Sequence, residues 1–432
     1  MKYYSLNNRE HVSDFKNAVL SGLAPDRGLY FPQEIVKLSN SFLEGISGMS
    51  NEEVAFEAIK GYVGDEIPGE VLEDIIADTL SFELPVVPLE KNISVLELFH
   101  GPTLAFKDVG AKFMAGTLGY FIREGDLGEV TILVATSGDT GGAVANGFLG
   151  VEGIQVVVLY PKGKVSGFQE KQLTTLGNNI TALEVDGNFD DCQAFVKKAF
   201  LDPDIKEKRK LTSANSINVA RWLPQMFYYF LAYRDLQPEK EKLVISVPSG
   251  NFGNICAGLL ANRMGLPINH FVAANNRNNV VTRFLDSGKY EPGPSIQTLS
   301  NAMDVGDPSN FVRILELFHH DFAELGKWLS SYSFSDEETR LAIKRVYESS
   351  GYILDPHGAV GYLGLKNFLE DNPEYEGVFL ETAHPLKFPE TVESVLKRDI
   401  PVPSSLEGLM SKEKISLEIG TYQELKAFLM KT

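Results

Sequence analysis

VTILVATSGDTGGAVANGFLG, residues 130–150, is the stretch on which the fold turns. Val130–Thr136 is a nearly unbroken apolar run of strand length, the pattern of a strand covered on both faces. A Gly-rich turn follows, and Gly142–Leu149 continues as a helix. Downstream the unit repeats. Ile154–Tyr160 is a second buried strand with helix Phe168–Leu176 behind it, and Ile180–Val185 precedes helix Cys192–Phe200. Val219–Tyr233 reads as one strongly apolar helix, followed by strand Leu243–Val247, helix Asn254–Met264 and strand His270–Ala274. Strands rich in Val and Ile, each followed by a helix, predict an α/β fold of parallel sheets with crossover connections.

The flanks read differently. Residues 1–95 look mostly helical, joined by turns at Ala24-Pro25, Phe31-Pro32 and Ile67-Pro68, and end at a short strand, Ser94–Leu98. Residues 277–310 are rich in Asn, Gly, Pro and Ser and predict a long loop, a feature that is usually functional or mobile. Residues 311–370 read as helical, Val378–Glu381 as a late strand, and the last forty residues as a helical tail.

The chain has 432 residues, 40 Lys and Arg against 58 Asp and Glu, and a net charge of −18. Binding to nucleic acid draws on a basic surface, so nucleic acid and anionic membranes are poor partners. No run approaches the ~18 apolar residues needed to span a bilayer. The N-terminus has neither a signal-peptide core nor the acid-poor composition of a transit peptide. The two cysteines, Cys192 and Cys256, lie in apolar helical patterns, which favours buried free thiols and a cytoplasmic location over a disulfide.

Chemistry concentrates in strand–turn–helix units, the natural anion sites of α/β folds. In LVISVPSGNFGNICAGLLA, Gly250 and Gly253 let backbone N–H groups converge on a phosphate at a helix N-terminus. The spacing is not that of a dinucleotide fingerprint, and no Gly-Lys pair precedes Ser or Thr as in a P-loop. On spacing alone the turn is equally well a bare connection. ATSGDTGGAVANG offers Thr136, Ser137 and Thr140 as hydroxyl and N–H donors, a nest suited to a carboxylate. Asp139 within it is awkward for an anion site unless it faces away, or serves as the helix N-cap.

In ELFHGPTLAFKDVGAKF, Lys107 opens a helix among Leu104, Ala105, Phe106 and Val109. A helical lysine is ordinarily a solvated charge, but burial lowers its pKa and makes it a usable nucleophile or base. Leu380-Glu381-Thr382-Ala383-His384-Pro385 follows the last strand, at the carboxyl end where open α/β sheets bind ligands. His319-His320 lacks the partners a metal needs and reads as a surface feature; no metal site is expected. A serine-hydrolase elbow is absent too. Together these features ask for a cofactor with a phosphate and an amine-reactive carbonyl, and for a substrate with a carboxylate. Pyridoxal 5'-phosphate meets the demands.

Five ordered motifs, HGPTLAFKD, ATSGDTGGAV, SANSINVARWLPQ, VPSGNFGN and LETAHPLKF, resemble the threonine synthases of bacterial and fungal type. SDFKNAVLSGLAPDRGLYFPQEI resembles that family's N-terminal domain, so the likeness runs from about residue 1 to about 400. It implies a tryptophan synthase β-like core (fold type II of the pyridoxal enzymes) with two lobes and an added, mostly helical N-terminal domain. The implied domains are 1–95 (N-terminal), 96–235 (smaller, with the carboxylate loop), 236–400 (larger, with the phosphate loop) and a tail, 401–432. The resemblance makes Lys107 the Schiff-base lysine and Gly250, Asn251, Phe252, Gly253 and Asn254 the cofactor phosphate loop. It puts Asp139 near the cofactor 3′-oxygen and gives Thr382 as the hydroxyl partner of the pyridine nitrogen, making the ring a moderate electron sink. The implied reaction turns O-phospho-L-homoserine and water into L-threonine and phosphate. Thr136, Ser137 and Thr140 are the expected carboxylate site. Arg221, with Lys162 and Asn218 behind it, is the expected substrate-phosphate site, although an ordinary salt bridge explains Arg221 almost as well. A phospholyase releasing 2-oxobutyrate is the neighbouring alternative. A monomer or homodimer is expected, and residues 277–310, with Asn301 and Asp304, are a candidate lid.

Overall fold

The computed structural model describes residues 1–125, 128–236, 242–403, 406 and 408–431. In chain order its strands are β1 (Lys2–Ser5), β2 (Val12–Asp14), β3 (Tyr30–Pro32), β4 (Val86–Glu90), β5 (Ile93–Glu97), β6 (Val130–Ala135) and β7 (Ile154–Pro161). They continue as β8 (Ile180–Val185), β9 (Lys210–Thr212), β10 (Leu243–Pro248), β11 (His270–Asn275), β12 (Leu329–Ser333), β13 (Glu376–Glu381) and β14 (Leu417–Ile419).

Two parallel sheets form the core. One has the order β14-β8-β7-β6-β9 and is parallel throughout. The other has the order β12-β11-β10-β13-β5-β4, parallel except for β4 at its edge. Every residue of β6, β10 and β11 is buried, as strands covered by helices on both faces require. Helices Gly167–Thr174, Phe189–Ala199 and Gly253–Met264 fall within three residues of their expected positions.

Five stretches differ from expectation. The first ninety-five residues hold helices, but also a three-stranded antiparallel sheet, β2-β1-β3. Strands of three or four residues are too short for alternation to register in a sequence. The expected loop at 277–310 contains helix Val280–Ser287, and β12 lies within the stretch read as helical. The tail ends in helix Tyr422–Lys431, but Leu417–Ile419 first adds β14 to the edge of the five-stranded sheet; residues 404, 405, 407 and 432 of it lie outside the described residues. Finally, Val219–Tyr233 is not one helix. It runs as Val219–Trp222, a tight turn over Leu223–Met226, and Phe227–Leu236. Pro224 explains the break, because proline has no N–H to donate to the carbonyl four residues before it.

Cys192 and Cys256 are both buried and free, and burial pushes each thiol up to about 12. His319 and His320 are exposed, with His320 Nε2 3.3 Å from Glu316 Oε2. Among the described residues no helix is long and apolar enough to cross a membrane, and no acidic, His or Cys cluster is arranged to hold a metal.

The N-terminal sheet is not a loose appendage. Tyr3 and Phe15 are fully buried, and Phe15 packs edge-on against Phe121 of helix Lys107–Gly125 at 6.1 Å. Arg313 adds a polar tie. Wholly buried, it donates to Tyr30 O in β3 (3.0 Å), Ile217 O (2.7 Å) and Asn310 Oδ1 (2.7 Å), and lies over the Trp222 ring. The planar fork of guanidinium donors matches these three carbonyl directions, which a single ammonium at the end of a lysine does not reproduce. Arg313→Lys keeps the charge but strands buried carbonyl oxygens, so it should lower unfolding free energy by about 2–3 kcal/mol in urea titration. An unchanged midpoint would remove this tie from the account.

Candidate active site

β10, β13 and β5 lie side by side, and the chain leaving the carboxyl end of each contributes to one cleft. After β5 the chain turns back along the end of β13. Phe106 N–H donates to Thr382 O (2.9 Å), His384 N–H donates to Leu104 O (3.0 Å), and Ala105 bridges Ala383. Lys107, the first residue of helix Lys107–Gly125, is thereby held next to Thr382 by main-chain bonds. Lys107 is half-buried, and the Thr382 hydroxyl has no partner among the described residues.

After β10 comes the turn 249–252 and then helix Gly253–Met264. Phe252, a bulky residue at φ 59°, occupies the N-cap, and no side chain caps the helix. A left-handed phenylalanine costs about 1–2 kcal/mol, strain that surrounding contacts must hold in place. Its ring packs on Phe311, and Asn251 is fixed by bonds to Ser216 Oγ (2.8 Å) and from Ser309 N–H (2.6 Å). The first-turn N–H groups of this helix are left for a ligand. Asn254 supplies a second sign of one. Its Oδ1 accepts from Tyr229 (2.7 Å), while its buried Nδ2 has no partner. Gly250 is required by close approach, since a Cβ there would lie 2.7 Å from Met303 Cα and 3.0 Å from Ala302 O.

Tyr228 and Tyr229, adjacent and fully buried on helix Phe227–Leu236, tie these two loops together. Tyr228 donates to Phe106 O, immediately before Lys107, and Tyr229 donates to Asn254.

The other wall comes from the five-stranded sheet. After β6, the Thr136 hydroxyl accepts from Gly138 N–H and Gly141 N–H, both at 2.9 Å, which closes the turn. Gly138 takes φ 141°, and a Cβ there would strike the Gln169 amide. Ser137 is exposed and Thr140 half-buried, so both remain open to a ligand. Asp139 does not cap the helix; Gly138 holds that position. The Asp139 carboxylate instead meets Lys387 Nζ (2.9 Å) and Gln169 Nε2 (2.8 Å).

The electrostatics follow from burial and these contacts. Burial lowers the Lys107 amine; Asp139 opposes it, and the cations Lys387 and Arg221 add smaller pushes downward. Burial alone would raise Asp139, but Lys387 and Lys107 hold it well below the usual carboxylate range. Burial pushes Asp108 up to about 6, although Thr103 donates to it from both hydroxyl and N–H. His384 is pushed down to about 4, chiefly by burial and then by His100, and is neutral at pH 7.

The structure thus places Asp139 close enough to act on Lys107, sets Lys107 next to Thr382 through main-chain bonds, and ties the 250–254 loop to the same segment through the tyrosine pair, while Thr136, Ser137 and Thr140 lie in the turn that carries Asp139. Arg221 belongs with them. It is buried, acts on Lys107, and is itself pushed down to about 10 by burial; its Nη1 donates to Ala214 O while its Nε has no partner. Asn218 and Lys162 do not join the cleft as donors. Asn218 is fully buried, and its side chain bonds Ala220 N–H and Val19 O. Lys162 is exposed and paired with Glu418 at 2.8 Å, because β14 brings that acid alongside. Asp304 is tied within its own loop to Thr298, Asn276 and Asn278. Sequence reasoning missed Lys387, Gln169 and the tyrosine pair. A lysine inside an otherwise apolar stretch, HPLKFP, was the available signal for the first.

These residues fit pyridoxal phosphate: an amine of lowered basicity, an uncapped helix N-terminus with an unsatisfied amide, and no carboxylate within the 249–254 loop. Comparison with known proteins agrees. Residues 73–378 match the family of pyridoxal-phosphate dependent enzymes, residues 2–80 the threonine synthase N terminus and residues 358–429 the threonine synthase C-terminal family. A threonine synthase of Haemophilus influenzae is 44% identical over the full length of both chains. The crystal structure of threonine synthase from Escherichia coli aligns over all of both chains at TM-score 0.92 and 42% identity. A PLP-bound threonine synthase from Brucella melitensis aligns over 100% of this chain and 99% of its own at TM-score 0.94 and 35% identity. Gly250→Ala, which forces backbone against backbone, should weaken pyridoxal phosphate binding about tenfold or more in equilibrium titration of the apoprotein. Wild-type affinity would mean that this loop does not hold the phosphate.

Proposed function

The chain belongs to the threonine synthase family of pyridoxal-phosphate-dependent enzymes, with their fold type II core, and on that premise we propose how its cleft makes threonine. The substrate is O-phospho-L-homoserine, which with water yields L-threonine and phosphate.

The first-turn N–H groups of helix Gly253–Met264 and the Asn254 amide would hold the cofactor phosphate. Thr382 would offer its hydroxyl to the pyridine nitrogen, and Asp139 would serve the 3′-oxygen. When bound, the cofactor supplies the electron sink that stabilises negative charge developing at the substrate Cα. Lys107 would tether the bound cofactor, and its nitrogen would be free to act as a base once substrate is seated. The Lys107 nitrogen, of lowered proton affinity, then removes the Cα proton. It passes that proton to the departing phosphate as the Cγ–O bond breaks, which frees it to take a proton from Cβ and deliver that proton to Cγ. Water adds its OH to Cβ, and its other proton passes through Lys107 to Cα. Ser137, Thr140 and the N–H groups beside them receive the substrate carboxylate, and Thr136 keeps that turn closed. Arg221, a buried cation with an unpartnered Nε, would receive the substrate phosphate.

The observation that carries this reading is the main-chain pairing that sets the buried amine of Lys107 beside Thr382. Lys107→Ala should lose about three orders of magnitude or more in turnover, since one nitrogen is both tether and base. Borohydride reduction of the loaded wild-type protein, followed by peptide mapping, should mark Lys107. Threonine and phosphate are expected in equal amounts from O-phosphohomoserine. Stoichiometric 2-oxobutyrate without threonine would replace the synthase with a phospholyase, and turnover by the Lys107→Ala protein would unseat Lys107.

A further inference from the structure

Lys387 is wholly buried, and its three ammonium protons meet three acceptors on three elements. Nζ lies 2.9 Å from Asp139 Oδ1 after β6, 2.6 Å from Thr103 O after β5, and 3.0 Å from Gln172 Oε1 on helix Gly167–Thr174. Lys387 itself ends the short turn Pro385–Lys387 after β13, and that turn is capped by His384, whose Nδ1 accepts from Leu386 N–H (3.1 Å). A cation from the six-stranded-sheet side is therefore threaded into the wall built by the five-stranded sheet.

Its effect falls on Asp139. Oδ1 of that residue is held by Lys387 and by Gln169, and Oδ2 takes no hydrogen bond from the described protein. The carboxylate is thus anchored by one oxygen and open at the other. An acid beside Lys107 and an electron-rich ligand oxygen is unfavourable in a poorly solvated cleft unless a countercharge is fixed to it. The other ionisable groups around this centre are Lys107, Arg221, Asp108, Tyr228 and His384. Of the lysines and arginines, Lys387 is the one bonded to Asp139.

We propose that Lys387 is a positioning residue: it pins and neutralises Asp139 so that this carboxylate can face the bound cofactor beside Lys107 without repelling it. The proposal rests on the cofactor assignment above. With the lysine in place, Asp139 presents a fixed acceptor whose charge is already balanced. Without it, the same carboxylate is an unpaired anion next to the nitrogen of Lys107, and it favours the protonated form of that nitrogen.

The test uses four holoenzymes, the wild type and the Lys387→Met, Lys387→Arg and Asp139→Asn/Lys387→Met variants. Each is titrated with pH while the near-visible band of the lysine-bound cofactor is followed, and cofactor affinity is measured on the apoproteins. Lys387→Met should raise the titration midpoint by about one pH unit or more and weaken cofactor binding about tenfold or more. Lys387→Arg should retain a midpoint close to wild type, because the charge survives. Removing both charges together should recover most of the loss, so the double variant binds cofactor better than Lys387→Met. A midpoint unmoved in Lys387→Met, or a double variant no better than Lys387→Met, overturns the proposal and leaves Lys387 a structural tie between the sheets. If Lys387→Met does not fold, the arginine and double variants decide alone: a shifted midpoint in the first, or a failure of the second to bind cofactor, counts against it. Absence of any near-visible band in the loaded wild type would instead strike the cofactor assignment.

Discussion

The cleft depends on a short piece of main-chain pairing. Where the chain leaves β5 it runs back along the end of β13, with Ala105 bridged to Ala383 and Phe106 N–H bonded to Thr382 O. These contacts are backbone to backbone, so they survive side-chain substitution and set a registry rather than a preference. Lys107 follows one residue later. Tyr228 locks the same segment from behind by donating to Phe106 O, and its neighbour Tyr229 reaches Asn254 in the 250–254 loop. Amine and anion cradle are thus spaced by a single rigid helix, which is the kind of preorganisation that positional catalysis needs.

Around that frame the charge is arranged locally. A chain of net charge −18 offers no general attraction to a phosphorylated, carboxylated ligand. The cleft compensates with uncapped helix N–H groups, whose partial charges are fixed and cost no reorganisation, and with three largely buried cations, Lys107, Arg221 and Lys387. Against them stand two buried carboxylates, Asp139 and Asp108, held in opposite directions. Cations keep Asp139 strongly ionised, while burial dominates at Asp108 and lifts it to about 6. Two acids thirty-one positions apart in the chain are given different protonation behaviour by what surrounds them, not by what they are.

Much of this was legible before any coordinates. Parallel strands buried on both faces have to be continuous apolar runs, so β6, β7, β8, β10 and β11 announce themselves, and the turns at their carboxyl ends announce the ligand loops. The enclosure of Lys107 was legible because its neighbours Leu104, Ala105 and Val109 are apolar and buried. What escaped was determined by distant parts of the chain. β1, β2, β3 and β14 are too short to carry a period, and β12, Leu-Ser-Ser-Tyr-Ser, has little apolar content to signal a strand. Lys387 escaped because its three acceptors come from residues 103, 139 and 172 and meet only in the fold. The misplaced Lys162 and Asn218 show the converse. Each had the right chemistry for an anion, but Glu418 and the carbonyl of Val19, both remote in sequence, had already claimed them.

The last strand has a consequence for how the protein comes into being. β14 pairs with β8, so the edge of the five-stranded sheet is closed by residues 417–419, while the four strands it joins are complete by residue 212. During synthesis those four strands are out of the ribosome long before the fifth exists. Until then β8 presents unpaired N–H and C=O groups, the state in which sheets recruit strands from the wrong chain. The intervening residues build the other sheet meanwhile. The lobe that holds Asp139 therefore has four of its five strands by residue 212 yet is the last to be finished, and a chain cut short between residues 212 and 417 leaves that sheet still open to strangers.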